Sequence, residues 1–188
     1  MIGLKSLDSE NLARVRALAA ELAGGSWFSA CGEPLLPQER TETERYLTAL
    51  GLDTPAIAGV PGWNEAAAIA QRQDWSHAWW EAEEHAALDL KRGAIATFGE
   101  TPLLAALSAV AEAASALHGH AALAAARAGI ADPSLSRVAA GAAAIACHQM
   151  GLVLACGLGE DHPLAIKYRL FAGGRWLLGL FGERCYLF

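Results

Sequence analysis

Charge is scarce in this chain. Of its 188 residues only 18% are Asp, Glu, Lys or Arg, while 54% are hydrophobic and the mean hydropathy is +0.25. Globular chains carry about 25% charged and roughly 45–50% apolar residues. So little charge with so much apolar character excludes disorder as the dominant state, which needs the reverse composition. Cations are the scarcer sign: 14 Lys and Arg stand against 20 Asp and Glu, for a net charge of −6. Affinity for nucleic acid comes mainly from clustered cations on phosphate, so no nucleic-acid partner is expected.

Motifs are missing as well. The chain has no G-x-G-x-x-G and no Walker loop, and Gly173-Gly174 is an isolated pair rather than a phosphate-cradling loop. It has no G-x-S-x-G elbow and no H-E-x-x-H. A nucleotide-binding α/β enzyme is therefore excluded. Cys31, Cys147, Cys156 and Cys185 form no C-x-x-C pair, so neither a zinc site nor a disulfide framework is indicated. They read as reduced, mostly buried thiols. The opening Met1-Ile2-Gly3-Leu4-Lys5 is followed by Asp8 and Glu10, not by the apolar run of a signal peptide. Both features point to a cytoplasmic location. From Val138 to Gly159 no residue is charged, about the length a bilayer asks for. That stretch holds His148, Gln149 and several glycines, and no aromatic belt flanks it, so it reads as a buried helix and a membrane partner is not expected.

What the chain does have is helical punctuation, over residues 1–188 as a single helical domain. Asp8 is placed to cap a helix with Leu12, Val15, Leu18 and Leu22 on one face, ended by Gly24-Gly25. Thr41-x-x-Glu44 reads as a capping box, stopped at Gly51, and Asn64 as the cap of a short helix. Asp74 precedes a helix from Trp75 to about Arg92, closed by Gly93. Thr101-Pro102 and Asp132-Pro133 each pair an N-cap with proline at the first helical position, opening helices to about Ala128 and Cys156. Asp161-His162-Pro163 opens a last one, which meets Gly173-Gly174. Two apolar, aromatic runs around Gly182-Glu183 predict a short C-terminal β-hairpin. The expected fold is mainly α: about six or seven helices around a central Ala-rich antiparallel hairpin. Between Gly93 and Gly159 only Glu100, Glu112, Arg127, Asp132 and Arg137 are charged. Helices this apolar belong at the centre of a bundle or in a subunit interface, so a homo-oligomer, most simply a dimer, is expected.

Three places could carry function. The helix from Trp75 presents His77, Glu81 and His85 at i, i+4 and i+8, ligand types suited to zinc, iron or manganese, although the di-iron spacing of a Glu three residues before a His is absent. The same helix offers Trp80, Glu81, Glu83 and Glu84, an acidic surface fit to dock a basic protein partner. Second, an antiparallel hairpin turning near Asp132-Pro133 brings His118 and His148 to one level, with Trp80 or Glu81 beside them. His148 then shares an inward stripe with Val138, Ile145 and Leu152, and the pair could hold a metal or ligate haem. Third, Cys31 lies in the loop Trp27–Glu33, where a lowered pKa would make it a nucleophile. With no catalytic motif present, the leading expectation is a non-catalytic protein–protein interaction module, and the alternative is a metal- or haem-binding bundle.

Overall fold

The computed structural model describes residues 2–53 and 55–188, with side chains from residue 10 onward. Within them α1 (Ile2–Glu21) passes through a 3-10 turn, Leu22–Gly24, and a long loop to α2 (Pro37–Ala49), β1 (Ala56–Gly59) and α3 (Trp63–Ala70). Then follow α4 (His77–Phe98), α5 (Glu100–Ala114), α6 (Leu117–Arg127), α7 (Pro133–Ala155), α8 (Pro163–Ala172), β2 (Leu177–Phe181) and β3 (Arg184–Leu187). Only Ser115–Ala116 interrupts α5 and α6, which otherwise form one helical run of 28 residues. The fold is mainly α with a short C-terminal hairpin.

Several helices begin and end elsewhere than their punctuation suggests. α1 runs from Ile2, so Asp8 lies inside it, with its side chain outside the described residues. α2 starts at Pro37, where Glu39 reaches back to accept the Leu36 N–H at 2.8 Å, and Thr41 is interior. Gly62, not Asn64, precedes α3. The cap of α4 is Ser76, whose hydroxyl accepts the Trp79 N–H, because Asp74 is engaged by Arg72. Gly93 does not end α4. It lies inside the helix opposite Cys156, where a Cβ would make an ordinary contact with the sulfur at 3.7 Å. Gly99, at φ +76, separates α4 from α5, so Thr101-Pro102 falls inside the first turn of α5. Asp132 does cap α7, accepting the Ser134 N–H at 2.9 Å.

α7 is the axis of the molecule and packs against α1, α4, α5, α6 and α8. Ala139, Ala140, Ala143, Ala146 and Cys147 are fully buried, and from Gly151 to Ala155 every residue is buried. A Cβ at Gly151 would stand 2.7 Å from Leu107 Cδ2, so the missing side chain is what lets α5 lie so close. Of the expected inward stripe only Leu152 is buried: Val138 and Ile145 are each 56% exposed and His148 is exposed. The crowded side of α7 accepts only small residues, and the branched ones turn to the rim. The α5–α6 run is one-sided. Leu103, Ala106, Leu107, Val110, Ala114, Leu117, Ala121 and Ala125 form its buried stripe, while Leu104 and Leu123 are half exposed. Its outer face is largely alanine, which hides amphipathicity from a hydropathy pattern. By length and composition α7 and the α5–α6 run could each cross a membrane; 61% of the apolar window of α7 is buried inside the protein, and 33% of that of α5–α6.

The predicted hairpin forms. β2 pairs antiparallel with β3 through a turn at Gly182, φ +56. Residues Ala56–Gly59 add a parallel strand on the far side of β3, from Ala56↔Arg184 to Gly59↔Leu187. Four residues are too few for an alternating pattern to declare a strand, and the partner edge decides it. Trp63, Trp176 and Phe188 cluster where this sheet meets α3, with Trp63 edge-on to Phe188 at 5.1 Å.

Arg175, only 2% exposed, closes this end of the molecule. Its guanidinium donates to both oxygens of Glu39 and to the carbonyls of Ala30, Glu33 and Pro34, all within 2.8 Å. All five N–H donors are thus used. Burial pushes the Glu39 carboxyl up, but the Arg175 hydrogen bonds, the Leu36 N–H and the nearby positive charge together hold it below the usual carboxylate range. Gly174, at φ +100, completes the join: a Cβ there would lie 2.7 Å from Ser29 Oγ and 3.0 Å from the backbone of Ala30 and Ser26.

Two outcomes follow. Arg175→Lys keeps the charge but has fewer donors and no planar fork, so it strands backbone carbonyls and destabilises the fold by at least about 2 kcal/mol in urea titration; a loss under about 0.5 kcal/mol would show that the pin does not matter. The second concerns pH. His162 caps α8 by accepting the Leu164 N–H at 3.2 Å, and burial holds its pKa below the ordinary value by disfavouring the imidazolium. The unfolded chain therefore takes up protons near pH 6.5 that the folded chain refuses, so stability falls as pH drops below about 6.5. His162→Asn puts a capping oxygen in place of the ring nitrogen without the titration, and its stability declines less between pH 7 and pH 5; an unchanged slope removes His162 from the account.

Candidate functional site

The helix expected to dock a partner through its acidic face has one carboxylate turned inward. Glu83 lies on the buried side of α4 with Leu90 and Ala94, and is 8% exposed. α8 brings Lys167, 7% exposed, to face it, and Lys167 Nζ donates to Glu83 Oε2 at 2.7 Å. From α2 the fully buried Tyr46 hydroxyl donates to Glu83 Oε1 and accepts the Trp79 indole N–H at 2.7 Å. Burial, reinforced by the adjacent Glu83 charge, pushes the Tyr46 hydroxyl well above its ordinary pKa, so it stays a donor. Three helices are thereby tied through one carboxylate. The pair costs desolvation that its mutual attraction must offset, and it is tolerable because both carboxylate oxygens are hydrogen-bonded.

Beside this pair lies a cavity of about 360 Å³. Trp79 and Trp80 of α4 wall one side, Val138 and Ile145 of α7 another, and Phe171 and Trp176 the third. Glu83, Lys167 and Gln149 are the buried polar residues that line it. Gln149, on α7 and 7% exposed, is the anomaly. Its Oε1 is buried without a hydrogen-bond partner, alone in this respect among the described side chains. An unpaired buried acceptor costs roughly 1–3 kcal/mol, and native structures hold few of them.

The residues singled out from sequence fare unevenly. Trp80, Glu81 and Glu84 are exposed and belong to one surface, with Trp80 and Glu84 at the cavity. Glu83 does not, which corrects its place in the acidic patch. The signal was available: Glu83 stands four after Trp79 and seven before Leu90, on the apolar stripe rather than between stripes. Lys167 and Tyr46 were equally readable as polar residues at stripe positions, since Leu164, Leu170 and Phe171 flank the one and Leu47 the other. His77 stacks on Trp75 at 4.1 Å between ring centres and is exposed, as is His85.

His118 and His148 are both exposed, and they share no surroundings. The His118 ring faces the Ser115 carbonyl at 3.3 Å, whereas His148 borders a small cleft with Lys91, Leu104 and Leu107. The common level fails because the α6–α7 connection centres on Ile130, midway between Arg127 and Pro133, not on Asp132-Pro133. One ring lies twelve residues before that centre and the other eighteen after it, an offset of about 9 Å along the helices. Among the described residues no three His, Cys, Asp or Glu side chains gather as a metal site.

Cys31 lines a second, larger cleft of about 560 Å³ with Trp27, Phe28, Trp63, His120 and Arg127. Phe28, at φ 60, is the one non-glycine residue with a left-handed backbone among those described. Burial pushes the Cys31 thiol up to about 12 despite the nearby Arg175 charge, and its sulfur faces the carbonyls of Gly174 and Phe188. A thiol so placed is protonated at neutral pH, and this environment opposes the nucleophile reading.

The buried pair makes a sharp energetic prediction. Lys167→Met leaves Glu83 charged, buried and short of a donor, and destabilises the protein by about 3–5 kcal/mol, while adding Glu83→Leu restores much of the loss. Chemical denaturation of the two single variants and the double variant measures this; purely additive losses would deny the coupling. No protein-family model, curated protein or solved structure matches this chain, so its site stands on its own geometry.

Proposed function

We propose that this protein is a non-catalytic binding module whose site is the cavity between α4, α7, α8 and β2, and that it holds a small, mainly apolar molecule there. The observation that carries this reading is Gln149 Oε1, a buried acceptor without a partner at the wall of an aromatic cavity. Ligand sites are concave and mostly apolar, with a few placed polar groups that fix orientation, at volumes from about 300 Å³ upward. A cavity of about 360 Å³ sits at the small end of that range, which suits a single-ring ligand. Absence of activated groups argues for binding over chemistry. Burial raises the thiols of Cys31, Cys147 and Cys185 to about 12 and raises that of Cys156, and Lys167 and Glu83 are engaged with each other. The exposed Trp80, Val138 and Ile145 form an apolar mouth by which such a ligand would enter.

Toluene serves as a minimal probe. Binding in this cavity shifts the indole N–H resonances of Trp79 and Trp80 and raises the melting temperature with toluene concentration, as binding to the folded state requires. Ala142→Phe, placed on α7 at the cavity wall, fills the space and abolishes both effects. Unmoved indole resonances, or a response that survives Ala142→Phe, would rule out this cavity as the site.

A further inference from the structure

The same cavity carries information about the polar end of its ligand, and this inference rests on the binding reading above. We infer that the site selects a neutral carboxamide or lactam head attached to an apolar or aromatic body, with Gln149 and Lys167 as the residues that read the head. Gln149 Oε1 requires a donor, and none is supplied by the described residues. Lys167 Nζ carries three donors, and one of them is used by Glu83 Oε2 at 2.7 Å. Both residues line the cavity and are each at least nine-tenths buried, the one with an acceptor left over and the other with donors left over. A head that donates and accepts at adjacent atoms meets both, and an amide does so in one plane.

Charge narrows the choice further. Lys167 and Glu83 are opposite in sign and held together, so the wall is neutral as a unit. A carboxylate would be drawn to Lys167, but would be repelled by Glu83 and offer no donor to Gln149. An ammonium would satisfy Gln149, but would meet the Lys167 charge. Either ion would also lose its hydration on entering an aromatic cavity, a far larger cost than a neutral amide bears. The walls built by Trp79, Phe171 and Trp176 suit a flat ring behind the head.

Four molecules sharing one ring separate the outcomes: toluene, benzamide, benzoate and benzylamine, each titrated calorimetrically into wild-type protein and into Gln149→Met. Wild-type protein binds benzamide at least about tenfold more tightly than toluene, the effect of a little over one kilocalorie of added hydrogen bonding, and binds both ions more weakly than benzamide. Gln149→Met keeps the toluene affinity and loses the preference for benzamide. It also melts at a higher temperature than wild-type protein when empty, because it removes an unpaired buried oxygen with little change of shape. Equal affinity for toluene and benzamide, or tighter binding of benzoate, overturns the head-group inference and leaves the binding reading intact. A lower melting temperature for Gln149→Met assigns Gln149 a structural role and likewise overturns it. If none of the four binds, the cavity is not a ligand site and both conclusions fall.

Discussion

The guanidinium of Arg175 is the interaction on which the arrangement of the chain depends. It stands between α8 and β2, and reaches the loop before α2 and the first turn of α2 itself. With that loop held, α2 lies along α8 and delivers Tyr46 to Glu83. The side chain works because all of its donors are used. A buried guanidinium with idle N–H groups would cost more than its ion pair returns. Gly174 beside it has a matching role, since a side chain there would strike the loop that Arg175 holds.

Small residues impose the second constraint. α7 passes through the middle of five other helices, and it can do so because alanine, glycine and cysteine line its crowded side. Larger neighbours then have to fill the space left around it, and near Ala142 and Ile145 they do not fill it completely. The cavity is thus a by-product of close helix packing at one end of α7 and looser packing at its rim. Its wall is not wholly apolar: it carries the Glu83–Lys167 ion pair and the Gln149 amide.

Much of the architecture could be read from the chain. The apolar face of Val15 and Leu18 in α1, continued by Leu22 in the 3-10 turn, the cap at Asp132, the proline at the start of α8 and the hairpin around Gly182 all follow from local rules. Local rules failed where two signals competed. Asp74 is a fair cap by type, yet it is drawn to Arg72, and Ser76 takes the position. Gly93 has the look of a stop, but α4 runs through it to Phe98. Less of the site was legible. Histidine and acidic residues attract attention in a sequence, yet the buried polar groups at the cavity wall are a glutamate on an apolar stripe, a lysine and a glutamine, with a buried tyrosine bonded to the glutamate. Their partners come from four helices, and no spacing along one helix encodes them.

By itself the sequence determined that this chain is helical, that its least charged stretch forms long helices, and that its tail turns back as a hairpin. These properties depend on spacings of a few residues, on caps and on turn chemistry, all of which act locally. Only the tertiary structure decided which side of α7 faces the core, because alanine is too small and too frequent to mark an inner face. It also decided that Glu83 is buried against Lys167 and that Gln149 is left unpaired. Burial of a polar group is a property of everything packed around it, and that environment is assembled from distant segments, as Arg175 illustrates with partners 136 and 145 positions away at Glu39 and Ala30.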